Sequence, residues 1–379
     1  MYNYKIGTVW GIPIRVNISL VVFLPVLAWL IGGTQQITDY AGLVDAVAGT
    51  NLDVAALTAG NTGWLVGSAA AIGLFASVAV HELGHAAAAR RYGIETSAIT
   101  LWILGGLASL DRLPKEPGKE FVIAIAGPLA SVLTAAVAFA ALFVIPSSAP
   151  VLVFVVGWLA VMNVTLTVFN LLPAFPMDGG RILRAFLARN RPYVDATRIA
   201  ARIGTIFAVL FALLGVFGRA PMLLLLALFV YSAANGESRI VALEATLDGF
   251  VVSDVLGDDV RPTVDESASL SEFAETVLAD RRGDHVVVDR SGTVVGVVDL
   301  DSLKGHDGDR DTTTVGDVTT TDLPSVDRNQ AAFEALRELD KSRYAFVTDR
   351  GSVVGIVARD DFATLLELTG LSQRDRVAQ

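Results

Sequence analysis

Between Ile18 and Ala234 the chain strings together about six apolar runs, and burying that many leaves very few architectures open. Crossing about 30 Å of hydrocarbon at about 1.5 Å per residue takes roughly 20 residues. The runs fall near Ile18 to Ile31, Trp64 to Ala89, Phe121 to Ile145, Val151 to Leu172, Ile199 to Phe217 and Met222 to Ala234, the first and last being short. Of the 379 residues 53% are hydrophobic and 18% charged, with a mean hydropathy of +0.55, which excludes an ordinary cytosolic enzyme. Lys5 and Arg15 precede the first run, as in a secretory signal, but Ile31-Gly32-Gly33-Thr34 lacks an A-x-A cleavage pattern, so that run is read as a span.

Charge splits the chain. Residues 1–236 hold 14 Lys+Arg against 10 Asp+Glu, a net +4, which leaves 15 against 29, a net −14, for residues 237–379. The expected organisation is a polytopic α-helical membrane domain over 1–236 and a soluble α/β domain over 237–379. The absence of cysteine excludes disulfides, thiolate zinc sites and Cys nucleophiles. The overall charge of −10 excludes nucleic acid as the main partner, because phosphate binding needs a concentrated basic face.

Arg and Lys also orient the chain. None occurs from Gly32 to Gly63, whereas Arg90, Arg91, Arg112, Lys115 and Lys119 follow the second run and Arg181, Arg184, Arg189, Arg191, Arg198 and Arg202 follow the fourth. Both clusters are expected in the cytoplasm, and six spans place the N-terminus and the acidic part there too. Arg219 is the exception.

The second run ends in His81-Glu82-Leu83-Gly84-His85. Helical spacing puts both imidazoles on one face, one turn apart, where they can grip a single metal ion. Glu82, rotated about 100° from His81, can take a proton from a water there without ligating the metal. With only His285 and His306 left, both in the acidic part, a third ligand must be an oxygen. The candidate is Asp178, in the apolar segment Phe169-Asn-Leu-Leu-Pro173-Ala-Phe-Pro176-Met177-Asp178-Gly-Gly-Arg181. Pro173 and Pro176 break the fourth helix, a break tolerated in a membrane only where protein or water lines it. Zn²⁺ with Asp178 and Glu82 ionised sums to zero charge, which lowers the cost of burying the cluster.

On these two segments the chain resembles the site-2 protease family of intramembrane zinc metalloproteases, specifically six-span members with a C-terminal pair of CBS domains. The first segment matches the family's first motif; Asn170 to Gly179 matches Asn-x-x-Pro-x-x-x-Leu-Asp-Gly, with Met177 in place of Leu. The resemblance implies one zinc per subunit on His81, His85 and Asp178, Glu82 as general base, and Asn170 as the group that stabilises the oxyanion. An amide donor suits that role. Asn163, seven residues earlier, is a second candidate whose expected use is a hydrogen bond between helices. Ile99 to Leu110, rich in β-branched residues around Gly105-Gly106, reads as a hairpin too short to span. Relatives use such an element to pair with an unwound substrate. Ala126-Gly127-Pro128 also matches a family pattern.

The acidic part repeats itself. Val252-Ser-Asp-Val255 returns as Val315-Gly-Asp-Val318, and Gly292-Thr-Val-Val-Gly296 as Gly351-Ser-Val-Val-Gly355. A period near 60 resembles a CBS pair, at about 250–308 and 313–370. The resemblance implies adenine nucleotides in the inter-repeat clefts and a homodimer through these domains. The nucleotide signature, however, is imperfect in both copies: Gly296-Val-Val-Asp299-Leu-Asp-Ser302 lacks its polar landmarks, and Gly355-Ile-Val-Ala358-Arg-Asp-Asp361 keeps only the ribose-binding Asp361.

The expectation is therefore a multi-pass cell-membrane zinc endopeptidase that cleaves transmembrane segments of protein substrates within the bilayer, as in regulated intramembrane proteolysis, with its CBS domains as the expected point of control. The rival is a metal-ion transporter gated by CBS domains. A transporter has no use for a non-ligating Glu82 and would need polar groups along a path, of which the fifth and sixth runs offer only Thr205 and Ser232.

Overall fold

The computed structural model describes residues 3–103, 105–110, 114–256, 261–280, 283–304, 309–339 and 342–367. Arg112, His306 and the expected ends of the CBS copies at 308 and 370 lie outside them. The chain divides into two compact units, Met1–Arg239 and Ile240–Gln379.

The first unit opens with a hairpin, β1 (Asn3–Val9) and β2 (Ile12–Asn17), that runs directly into α1 (Ile18–Ile31). Asn17 starts that helix by accepting the Ser19 N–H at 3.0 Å. Then come α2 (Thr34–Ala48), α3 (Val54–Thr58), α4 (Thr62–Arg91), β3 (Thr96–Trp102), β4 (Gly105–Leu110), α5 (Pro117–Ala141), α6 (Pro150–Asn170), α7 (Asp178–Leu187), α8 (Tyr193–Phe217) and α9 (Pro221–Thr246), whose last residues belong to the second unit. Pro at the first turn of α5, α6 and α9 costs nothing, because those N–H groups have no intrahelical partner.

Among the described residues α4, α5, α6 and α8 are long and apolar enough to cross a membrane. A fifth span results if Ile18–Ile31 and Gln35–Val47, bent by 72°, count as one. The run from Met222 to Ala234 lies inside α9, which continues through polar residues to Thr246 and is not one of these spans. Ile99 to Leu110 folds as the expected hairpin, and β3 also pairs in parallel with β2, with Ile14 opposite Ile99, so the sheet runs β1-β2-β3-β4. Leu20, Phe75, Val78, Ile99 and Leu101 bury that sheet against α1 and α4. Strand β4 is one of its two edges, beside the C-terminal half of α4.

The second unit repeats one pattern. The first copy is α10 (Val252–Leu256), β5 (Thr263–Asp265), α11 (Leu270–Asp280), β6 (Asp284–Val288), β7 (Val294–Asp299) and α12 (Leu300–Lys304). The second is α13 (Val315–Val318), β8 (Ser325–Asp327), α14 (Ala332–Glu338), β9 (Tyr344–Asp349) and β10 (Ser352–Ala358). Each forms a three-stranded sheet, parallel at its first pair and antiparallel at its second. Val286 and Val297 of one sheet share a core with Tyr344, Ile356 and Ala358 of the other.

Candidate metal centre and its surroundings

Helix α4 carries His81 and His85 one turn apart, each only 4% exposed. Nδ1 of His85 lies 2.7 Å from the Ile123 carbonyl oxygen. A carbonyl only accepts, so the ring proton sits on Nδ1 and Nε2 presents a lone pair. Nδ1 of His81 is likewise tied to Ser131 Oγ at 2.9 Å. The two Nε2 atoms face each other at 3.2 Å, and each is 3.1 Å from Oδ2 of Asp178. His81, His85 and Asp178 thus form one buried group of three facing donors. A triangle with such edges approaches the ~3.4 Å ligand spacing of a tetrahedral ion with bonds of about 2.0–2.1 Å. Histidines oriented through their other nitrogen are typical of zinc sites, and this donor set fits the ion.

Asp178 reaches the histidines because the chain breaks after Asn170 and restarts as α7 at Asp178. Its second oxygen, Oδ1, lies 3.6 Å from Nη1 of Arg181, which separates the carboxylate's two partners. Glu82 is half-buried and turned toward β4: a Cβ on Gly106 would fall 2.5 Å from its Cγ and 2.9 Å from Oε1. On the opposite side α5 passes the rings at Gly127, where a Cβ would fall 2.2 Å from His85 Nε2 and 2.7 Å from His81 Nε2. Any larger residue at either place must push these side chains aside.

The amide of Asn170 donates to the Leu166 carbonyl at 3.0 Å, one turn back on α6. Asn163 donates to Ser77 Oγ at 3.0 Å, a bond between α6 and α4 of the kind expected for it. The sequence reading missed Ser131 and Ile123. Ser131 follows Gly127 by one helical turn and so shares its face, a usable signal; a backbone carbonyl leaves no trace in a sequence.

In the second unit Asp361 accepts the Ala358 N–H on Oδ2 at 2.7 Å and Arg261 Nη2 on Oδ1 at 2.8 Å. Arg261 also binds Asp284 at 2.8 Å and the Ile356 carbonyl at 2.9 Å, which ties the two copies together. Burial opposes the Arg261 charge, but the hydrogen bonds and fields of Asp361 and Asp284 outweigh it and hold the guanidinium above its ordinary pKa.

Residues 69–151 and 147–211 match peptidase family M50, and residues 252–306 and 315–368 match the CBS domain. A zinc metalloprotease of Methanocaldococcus jannaschii is 31% identical over 375 residues, 98% of each chain. The Mycobacterium tuberculosis protein Rip3 is 33% identical over 330 residues, 82% of this chain and 83% of that one. Among solved structures, the site-2 protease of Methanocaldococcus jannaschii is similar at 33% identity and a TM-score of 0.42, covering 62% of this chain and 95% of that one. The chain belongs to peptidase family M50, the site-2 proteases: it is a multi-pass membrane metalloprotease with a tandem CBS domain behind it.

Proposed function

We propose that this chain is an intramembrane zinc endopeptidase that hydrolyses peptide bonds within transmembrane segments of other membrane proteins. The convergence of His81, His85 and Asp178 with Glu82 beside them carries the reading. His81 lies ten residues, about 15 Å of helix, before Arg91 at the end of α4, so its depth suits a bond inside the bilayer. When bound, zinc supplies Lewis acidity to a water and to the substrate carbonyl. The Ile123 carbonyl holds His85 in the ligating tautomer, and Ser131 orients the ring of His81. Glu82 takes the proton of the attacking water and passes it to the leaving amine. Asn170 turns from the Leu166 carbonyl to the developing oxyanion. The edge of β4, next to Glu82, offers backbone groups to a substrate strand, and a helix must unwind before its peptide bonds are accessible.

With α1 and α2 counted as one broken span and α9 as a sixth crossing after α8, the Arg and Lys clusters support an N-terminus and a CBS domain in the cytoplasm. The protease domain is taken as residues 1–236 and the regulatory part as 237–379, acting as a homodimer that takes up adenine nucleotide at Asp361. The test is zinc analysis of the full-length protein in detergent, followed by cleavage of a single-span substrate in proteoliposomes. Wild type should hold one zinc per chain and cleave, while Asp178→Ala should lose both. A wild type that cleaves equally well after its metal is stripped would overturn the proposal.

A further inference from the structure

Away from the donor triangle lies a buried charge cluster that the mechanism above does not use. Arg184 and Glu120 are each 1% exposed. Nε and Nη2 of Arg184 lie 2.8 and 2.6 Å from Oε1 of Glu120, and Nη1 lies 2.5 Å from Oε1 of Glu237 on α9. The guanidinium carbon sits 5.0 Å from the ring centre of Phe175 and 4.9 Å from that of Tyr193. A buried guanidinium held by carboxylates and aromatic rings has one low-energy place, because an unpaired charge at this depth is strongly penalised.

We infer that the Glu120–Arg184 ion pair is a positioning device that sets the register of Asp178 against the two histidines, an inference that rests on the zinc reading of the same site. Arg184 stands six residues after Asp178 on the ten-residue α7, so fixing it fixes the short helix whose first residue is the carboxylate ligand. Its partner is placed accordingly. Glu120, Ile123, Gly127 and Ser131 follow one another at steps of three, four and four residues, which is one face of α5. That face therefore holds α7 through Glu120, orients His85 through the Ile123 carbonyl, admits both rings at Gly127 and orients His81 through Ser131. One rigid element references all three donors, although they come from helices far apart in sequence. Phe175 stacks on Arg184 from the broken segment itself, so the loop before Asp178 is tied to the same point.

The experiment compares wild type, Glu120→Gln, Glu237→Gln and, as a control on the exposed face of α7, Phe186→Ser, all as full-length protein in detergent. Zinc release into excess chelator and the d–d absorption of the Co²⁺-substituted protein are measured beside helicity and thermal unfolding. Groups that touch metal ligands typically govern metal affinity by about 10–100-fold, and Glu120 acts one step further out, through Arg184 and α7, so the low end applies. Glu120→Gln should release zinc about tenfold faster and alter the Co²⁺ bands at unchanged helicity, Glu237→Gln should do the same more weakly, and Phe186→Ser should match wild type. If Glu120→Gln does not fold, Glu237→Gln decides. A folded variant with lowered thermal stability but wild-type zinc release and wild-type Co²⁺ bands would make the pair merely structural and overturn the inference, leaving the zinc reading intact. A wild type that holds no zinc would overturn both.

Discussion

Gly127 of α5 faces His85 of α4 so closely that a single methyl group on the former would fall 2.2 Å from Nε2 of the latter. Real Cβ atoms do not approach so near, and the Nε2 of His81 stands only 2.7 Å from the same point. Gly127→Ala should therefore displace both imidazoles while leaving α5 helical, since alanine has the higher helix propensity. The expected result is full-length, helical protein with zinc bound at least tenfold more weakly, read by competition with a chelator.

Gly106 plays the matching part for Glu82. A methyl group there meets Glu82 Cγ at 2.5 Å and leaves the donor triangle untouched. Gly106→Ala should behave as a milder Glu82→Gln: zinc stays at one per chain and cleavage falls. For Glu82→Gln the loss of a general base should lower kcat by about 10²–10⁴-fold. Measuring metal content and kcat on the same preparations separates this class from the Gly127 variant, which loses both together.

The donors were legible in the sequence because their signals are local. His81 and His85 sit at helical spacing, and Asp178 sits in a proline-broken apolar segment where a carboxylate needs a cation. What was not legible depends on partners far along the chain. Glu120 reads as an ordinary charge flanking a span, yet it is buried because Arg184, 64 residues later, comes to it. The hairpin Asn3–Asn17 has no strong strand pattern and is held in the sheet by β3, more than 80 residues on. Met222 to Ala234 looks like a short span because apolarity ends at Ala234, but the helix does not end there: nothing in Asn235-Gly236-Glu237 stops α9, and Glu237 meets Arg184 instead of solvent alone.

Asn170 gives a prediction about the transition state alone. Its amide donates to the Leu166 carbonyl within its own helix, so removing it costs little before the reaction and most when the oxyanion forms. Asn170→Ala should keep zinc and KM and lower kcat by about 10²–10³-fold, the usual loss for one oxyanion donor. A KM that rises in proportion, at unchanged kcat, would assign Asn170 to substrate binding.

For the CBS domain the decisive contact is Arg261 on Asp361. A ribose that approaches that carboxylate meets the guanidinium on Oδ1 and the Ala358 N–H on Oδ2, so the ion pair already takes one of the acceptor sites that the ribose hydroxyls would use. On the reading that Asp361 takes up a nucleoside, the internal ion pair competes with it, and removing that pair should favour binding. An amount of about 1.4 kcal/mol, just under the about 1.5–3 kcal/mol of one hydrogen bond to a charged group, corresponds to tenfold in affinity. Arg261→Ala should therefore bind adenosine about tenfold more tightly than wild type, and Asp361→Ala should not bind it, as followed by titration calorimetry on the full-length protein. Adenosine is the right probe because it carries no phosphate, so an arginine that served the phosphates would leave its affinity unchanged. Equal adenosine affinity in wild type and Arg261→Ala would show that the ion pair does not guard the cleft, and heat from Asp361→Ala equal to wild type would remove Asp361 from the ribose site.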